Sequence, residues 1–216
     1  RKANRSTALQ SQKREQDKLT RDERKQKDML QSLKKQEKNL LAKQKEQQKK
    51  VDALNKQIED LIAKQVRTTT TLTKEQQLIA GGFEANQGRL PWPVEKGFIS
   101  GYFGKHQHPI HEHVTINNKG IYLQTVAGAN ARAIYEGEVS SCAQINGNYA
   151  VIVQHGNYRT VYSPLKKIYV KQGDKVKAKQ AIGEIVTDTS EDNKTELYFQ
   201  IYKDRSIINP GLWLAQ

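Results

Sequence analysis

The chain has 216 residues, a net charge of +13, 36% apolar content and a mean hydropathy of −0.82. That is too little apolar material for a compact globule throughout, and no run of about 18 apolar residues exists that would cross a bilayer as a helix. Cys142 stands alone, which excludes an intrachain disulfide, and no CxxC or paired Cys/His spacing suggests a structural zinc.

Composition divides the chain in two. All 14 glycines lie at or after Gly81 and all five prolines at or after Pro91. Residues 1–67 hold 20 Lys and Arg against 10 Asp and Glu, so +10 of the charge sits there; the remainder holds 16 against 13. A basic segment of this kind can meet nucleic acid, anionic lipid or an acidic protein. No nucleic-acid partner is expected, because the basic residues are not interleaved with aromatics and no recognition motif accompanies them. The chain opens Arg1-Lys2-Ala3, without an initiator Met, signal peptide or helix cap, so more sequence is expected upstream.

In chain order, residues 1–67 read as one coiled-coil helix, expected to be half of a helical hairpin. A 3,4 spacing runs through Leu9, Leu19, Leu30, Leu33, Leu40, Val51, Leu54, Ile58 and Leu61, a seam in a single register. Polar residues, among them Glu23 and Glu37, fill the positions between, so the best seam is Val51, Leu54, Ile58 and Leu61. A lone helix leaves such a seam in water. Its cover is expected to be an upstream helix or, for this chain by itself, another copy through self-association.

Residues 68–90 read as a linker. The run Thr68-Thr69-Thr70-Thr71 has low helix propensity. Thr73-Lys74-Glu75-Gln76 fits a capping box and opens a short helix through Leu78 and Ile79, expected to stop at Gly81-Gly82. Residues 91–216, from Pro91-Trp92-Pro93 onward, carry short β-type runs at 98–103, 120–125, 131–135, 138–145, 149–154, 158–163, 181–187 and 196–202. Turn residues such as Asn146-Gly147 and Gly173-Asp174 punctuate them.

This β-region contains an ordered series of motifs: Gly101-Tyr102-Phe103-Gly104, His108-Pro109-Ile110, Lys119-Gly120-Ile121, Val151-Ile152-Val153-Gln154-His155-Gly156, Thr160-Val161-Tyr162, Gln180-Ala181-Ile182-Gly183 and Asn209-Pro210. In that order they resemble the LytM, or lysostaphin-type, peptidoglycan endopeptidases. The resemblance implies an all-β LytM-like sheet domain preceded by the long α-helical coiled-coil segment. It also implies where zinc ligands and catalytic histidines would stand. Those positions hold Asn118, Tyr122, Glu196 and Tyr198, and the remaining catalytic histidine position holds Pro164. Amide oxygens and phenols are poor zinc ligands, so neither enzyme activity nor any cofactor is expected.

A coiled coil joined to a degenerate LytM domain is similar to the EnvC-type murein hydrolase activators. That resemblance implies a periplasmic location, a cell-wall amidase bound in the vacant groove, and a cell-division ABC transporter (FtsEX-like) docked on the coil. The groove would be lined by Asn118, Tyr122, Tyr162, Pro164, Glu196 and Tyr198. Leu78, Ile79 and Phe83 are the candidate latch over it, simple packing on the domain flank being the other reading. Two further readings are a metallopeptidase with an atypical site drawn from His106, His108, His111 and His113, and a non-catalytic peptidoglycan-binding module. His155 is expected to be structural.

Overall fold

The computed structural model describes residues 2–68, 71–107, 115–190 and 192–216, with side chains from Leu9 onward. The chain divides into two units, Arg1–Ala53 and Leu54–Gln216. Helix α1 (Lys2–Thr68) contains no Gly or Pro to interrupt its ladder. Thr68 closes it by donating its hydroxyl to the carbonyls of Lys64 and Gln65, which satisfies two otherwise orphaned acceptors.

The first unit is helix alone, with its leucines and Met29 exposed and Val51 half-buried. The second unit takes up α1 from Leu54. It continues with α2 (Lys74–Ala85) and strands β1 (Phe98–Gly101), β2 (Gly104–Gln107), β3 (Thr115–Asn118), β4 (Ile121–Thr125), β5 (Asn130–Arg132), β6 (Gly137–Ile145) and β7 (Asn148–His155). Beyond these lie β8 (Tyr158–Ile168), β9 (Lys175–Val176), β10 (Ala181–Ile185), β11 (Thr187–Asp188), β12 (Lys194–Lys203) and β13 (Ser206–Ile208). The main sheet runs in the order β1-β4-β12-β8-β7-β6-β9, and β2 and β3 form a separate hairpin.

α2 begins as the sequence predicts, with the Thr73 hydroxyl accepting from Gln76 N and the Gln76 side chain accepting from Thr73 N. It does not stop at Gly81-Gly82 but runs on to Ala85, where the Asn86 side chain donates to the Gly82 carbonyl. Gly82 is a packing residue. A Cβ there would come within 2.3 Å of the Tyr135 hydroxyl.

The sheet is covered on both faces. One face carries the main core, including Ile121, Leu123, Val151, Val153, Tyr162, Leu197, Phe199 and Ile201, closed by Phe83 of α2, Leu90, Val94 and Trp213. The opposite face carries Ile145, Ala150, Ile152, Val161 and Tyr202. Residues 54–68 of α1 lie on it through Ile58 and Ile62, with Leu54, Leu61 and Val66 alongside. Strand alternation explains the division. In β12, Leu197, Phe199 and Ile201 point to the main core, whereas Tyr202 joins the helix-covered side.

The end of the seam expected to mediate self-association is thus largely used inside the chain. Ile58 is fully buried against the chain's own sheet, and Leu54 and Leu61 pack beside it. Val51 belongs to the first unit.

Candidate functional site

The candidate site lies on the helix-covered face of the sheet, where β12 is flanked by β4 and β8. Tyr198 is in register with Tyr122 of β4 and Ser163 of β8. The two tyrosine rings stack with centroids 4.6 Å apart. Tyr198 is buried and donates its hydroxyl to Asn55 Oδ1 at 3.1 Å. Gln200, the next residue on that face, donates its amide to the same oxygen at 3.1 Å and to the Lys119 carbonyl.

One turn further along α1, Glu59 forms an ion pair with Lys119 at 2.5 Å. Gln65 then donates to the Ser140 carbonyl and accepts from Arg159 Nε at 3.1 Å. Arg159 is buried, and desolvation lowers its pKa, opposed by Asp204. Tyr202, beneath the helix, has its pKa raised by burial and by the Glu59 charge. On this face of the sheet Ser163 Oγ, Gln200 Oε1 and Tyr202 Oη are buried without a hydrogen-bond partner, each at a cost of about 1–3 kcal/mol. This layer is well packed at Ile58 and Ile62 and incompletely paired around them.

The remaining site residues are also engaged. Asn118 is buried and donates its amide to the Tyr102 carbonyl at 2.9 Å. Glu196 accepts the Ser100 hydroxyl at 2.5 Å and pairs with Lys194 at 3.2 Å. Pro164 is half-buried, its carbonyl accepting from Val186 N.

Tyr162 does not line the groove. It lies in the main core against Phe199, 5.3 Å between ring centroids, and its hydroxyl accepts from Ile134 N and meets Thr160 Oγ1. Neighbouring residues on a strand face opposite ways, so Val161 reaches the helix side and Tyr162 the core.

Phe83 is likewise a core residue. Its ring packs on His155, Tyr158, Trp213 and Tyr135 at centroid distances of 4.8 to 5.8 Å. Leu78 is 77% exposed and Ile79 half-buried. The segment that touches the Tyr198 face is the end of α1, a contact that family position did not point to. Its signal was Ile62, an apolar residue beside the seam and four positions after Ile58.

These residues do not fit a zinc ion. The Asn118 amide is committed to Tyr102, the Tyr198 phenol to Asn55, and the Glu196 carboxylate to Ser100 and Lys194, and zinc prefers imidazole, thiolate or free carboxylate donors. Among the described residues no group of three or more His, Cys, Asp and Glu is placed to hold a metal. His106 sits on β2 opposite Ile116; His108, His111 and His113 lie outside the described residues.

His155, expected to be structural, is fully buried. Its Nδ1 is 2.6 Å from the Glu136 carbonyl and its Nε2 is 2.9 Å from Thr160 Oγ1. A carbonyl only accepts, so Nδ1 carries the proton and Nε2 accepts from Thr160. Burial pulls the His155 pKa down to about 4.

Among the described residues no helix is long and apolar enough to cross a membrane. The chain is 34% identical over 137 residues to an uncharacterized protein of Neisseria meningitidis serogroup B, covering 62% of this chain and 22% of that protein. It is 27% identical over 138 residues to the murein hydrolase activator EnvC of Escherichia coli K12, covering 63% of this chain and 31% of EnvC. The chain therefore spans less than a third of either relative. The solved structure of Helicobacter pylori Csd3 shares the fold, at 24% identity and a TM-score of 0.50 over 60% of this chain and 36% of Csd3. Residues 116–210 match Peptidase family M23, and the sheet region of this chain is an M23-type, LytM-like domain in a distant homologue of EnvC.

Proposed function

We propose that this chain is a non-catalytic activator of cell-wall amidases that works in the periplasm during cell division. In this reading the amidase binds the face built around Tyr122, Glu196 and Tyr198, and the coil receives its signal from a cell-division transporter. The observation that supports it is that the side chains at these positions are held by the chain itself: Tyr198 is bonded to Asn55, Asn118 to the Tyr102 carbonyl and Glu196 to Lys194, and Tyr122 stacks on Tyr198. A concave site that has lost its chemistry remains a surface on which a partner can be recognised.

The end of α1 is the cover of that face. Asn55, Ile58, Glu59 and Ile62 occupy the ground beside the tyrosine pair, and a partner reaching Tyr198 displaces them. The unpaired polar atoms beneath the helix reduce the cost of that displacement, because they regain partners once exposed. The experiment is dye release from purified sacculi by this chain alone, by a candidate amidase alone, and by both. Release only with both supports the reading. Release by the chain alone points to a peptidase, and sacculus binding without stimulation points to a wall-binding module.

A further inference from the structure

Arg159 of β8 stands on the helix-covered face, in register with Tyr202 of β12 on one side and Gln154 of β7 on the other. It is 2% exposed, and its Nε donates to Gln65 Oε1 at 3.1 Å. Among the described residues no aspartate or glutamate forms an ion pair with it. Asp204, whose charge it feels, lies exposed in the turn that follows β12. A guanidinium offers five N–H donors in a planar fork, and the amide oxygen of Gln65 engages one of them. Taking such a charge out of water is costly unless a carboxylate compensates it.

The surroundings of Arg159 hold further capacity that the helix leaves unused. Tyr202 Oη, in the same row, and Gln200 Oε1, two residues earlier on β12, are buried without a hydrogen-bond partner. The end of α1 thus meets this face fully with its apolar residues, Ile58 and Ile62, and incompletely with its polar ones. An occupant that matches the row better brings a negative charge where α1 brings the neutral Gln65.

We infer that Arg159 is the residue that reads the partner: the amidase segment that displaces residues 54–68 carries an aspartate or glutamate that takes the place of Gln65 on the guanidinium. This rests on the proposal that an amidase occupies the Tyr198 face, and it adds the chemistry by which the partner is distinguished from the cover. A carboxylate grips two donors of the fork and neutralises its charge, whereas an amide oxygen does neither, so the exchange favours the partner over the helix.

The test compares Gln65→Ala with Arg159→Gln for binding to a purified candidate amidase. Both variants break the Gln65–Arg159 bond, so amide hydrogen exchange across residues 54–68 is expected to quicken in both. They part in their effect on binding. Gln65→Ala is expected to bind at least as tightly as the wild type, and Arg159→Gln at least about tenfold more weakly, because the partner's carboxylate has lost its counter-charge. Arg159→Lys, which keeps the charge and loses the fork, is expected to fall between them and serves in place of Arg159→Gln if circular dichroism shows that variant unfolded. The inference is overturned if Gln65→Ala and Arg159→Gln bind alike, or if loss of the guanidinium leaves affinity at the wild-type value. Failure of the wild-type chain itself to bind the amidase overturns the amidase reading, and this inference with it.

Discussion

The hydroxyl of Tyr198 donates to Asn55 Oδ1 across a sequence separation of 143 residues, tying the centre of β12 to the last third of α1. Around this bond Ile58 and Ile62 form their own apolar cluster with Ile145, Ile152, Val161 and Tyr202, separate from the main core on the other side of the sheet. The cover is therefore expected to open without dismantling the domain.

Replacing Ile58 and Ile62 together by Ala removes most of the apolar contact of residues 54–68, at about 2–5 kcal/mol per site in a well-packed setting. Amide hydrogen exchange across residues 54–68 is expected to accelerate, while β7 and β8 stay protected, and amidase stimulation is expected to rise. Equal acceleration in β7 and β8 would show the two clusters to be a single cooperative unit.

His155 makes stability depend on pH in a definite direction. Its folded pKa of about 4 lies below the ordinary value of about 6.5, so the unfolded chain binds the proton more readily. The stabilisation is present in full above pH 6.5 and is lost as pH falls toward 4. Denaturant midpoints measured from pH 7.5 to 4.5 are expected to fall more steeply for the wild type than for His155→Gln. Parallel curves would assign the acid sensitivity to other groups.

Two glycines separate helix propensity from packing. Gly81 lies inside α2, and a Cβ added there would have nothing within 4 Å, so Gly81→Ala is expected to raise stability by about 0.5–1 kcal/mol. Gly156 has φ +68, and a Cβ there would approach Gln76 O at 2.4 Å and Ala80 Cβ at 2.5 Å. Gly156→Ala is expected to destabilise by more than Gly81→Ala stabilises. Chemical denaturation of the two variants checks both signs.

The sequence carried the division into helix and sheet, because a sustained 3,4 spacing and short β-branched runs between turn residues are local signals. The β2–β3 hairpin was not legible, its strands being short and mostly polar. The face on which Tyr162 lies was not legible either. β8 is buried on both sides, with Val161 and Tyr162 each at 0% exposure, so no polar alternation marks inside from outside. The covering role of Ile58 was hidden for a related reason. Apolar residues at helical spacing fit a partner helix and a sheet equally well, and only the three-dimensional contact decides between them.

A chelator has nothing to remove from the face around Tyr198 if the donors there are committed as described. Treatment with EDTA is expected to leave both the thermal transition and amidase stimulation unchanged, provided the amidase's own metal is replenished before assay. Loss of stability on chelation, restored by one equivalent of zinc per chain, would contradict the assignment.

Glu196 distinguishes recognition by charge from recognition by shape. Its side chain is 22% exposed and sits between Ser100 and Lys194, so Glu196→Lys places two ammonium groups together and reverses the charge a partner meets. Glu196→Gln keeps the shape and a hydrogen bond to Ser100 but removes the ionic character. If the amidase reads the charge, Glu196→Lys is expected to abolish stimulation and Glu196→Gln to weaken it, with amidase affinity falling about tenfold or more for the reversal. The partly exposed position keeps the stability cost of Glu196→Gln within about 1 kcal/mol. Tyr198→Ala lacks this separation, since truncating a buried ring bonded to Asn55 also loosens the helix cover. The discriminating measurement is amidase affinity for the two Glu196 variants at low and high salt. Wild-type affinity in both would place the contact away from Glu196, whatever the effect at Tyr198.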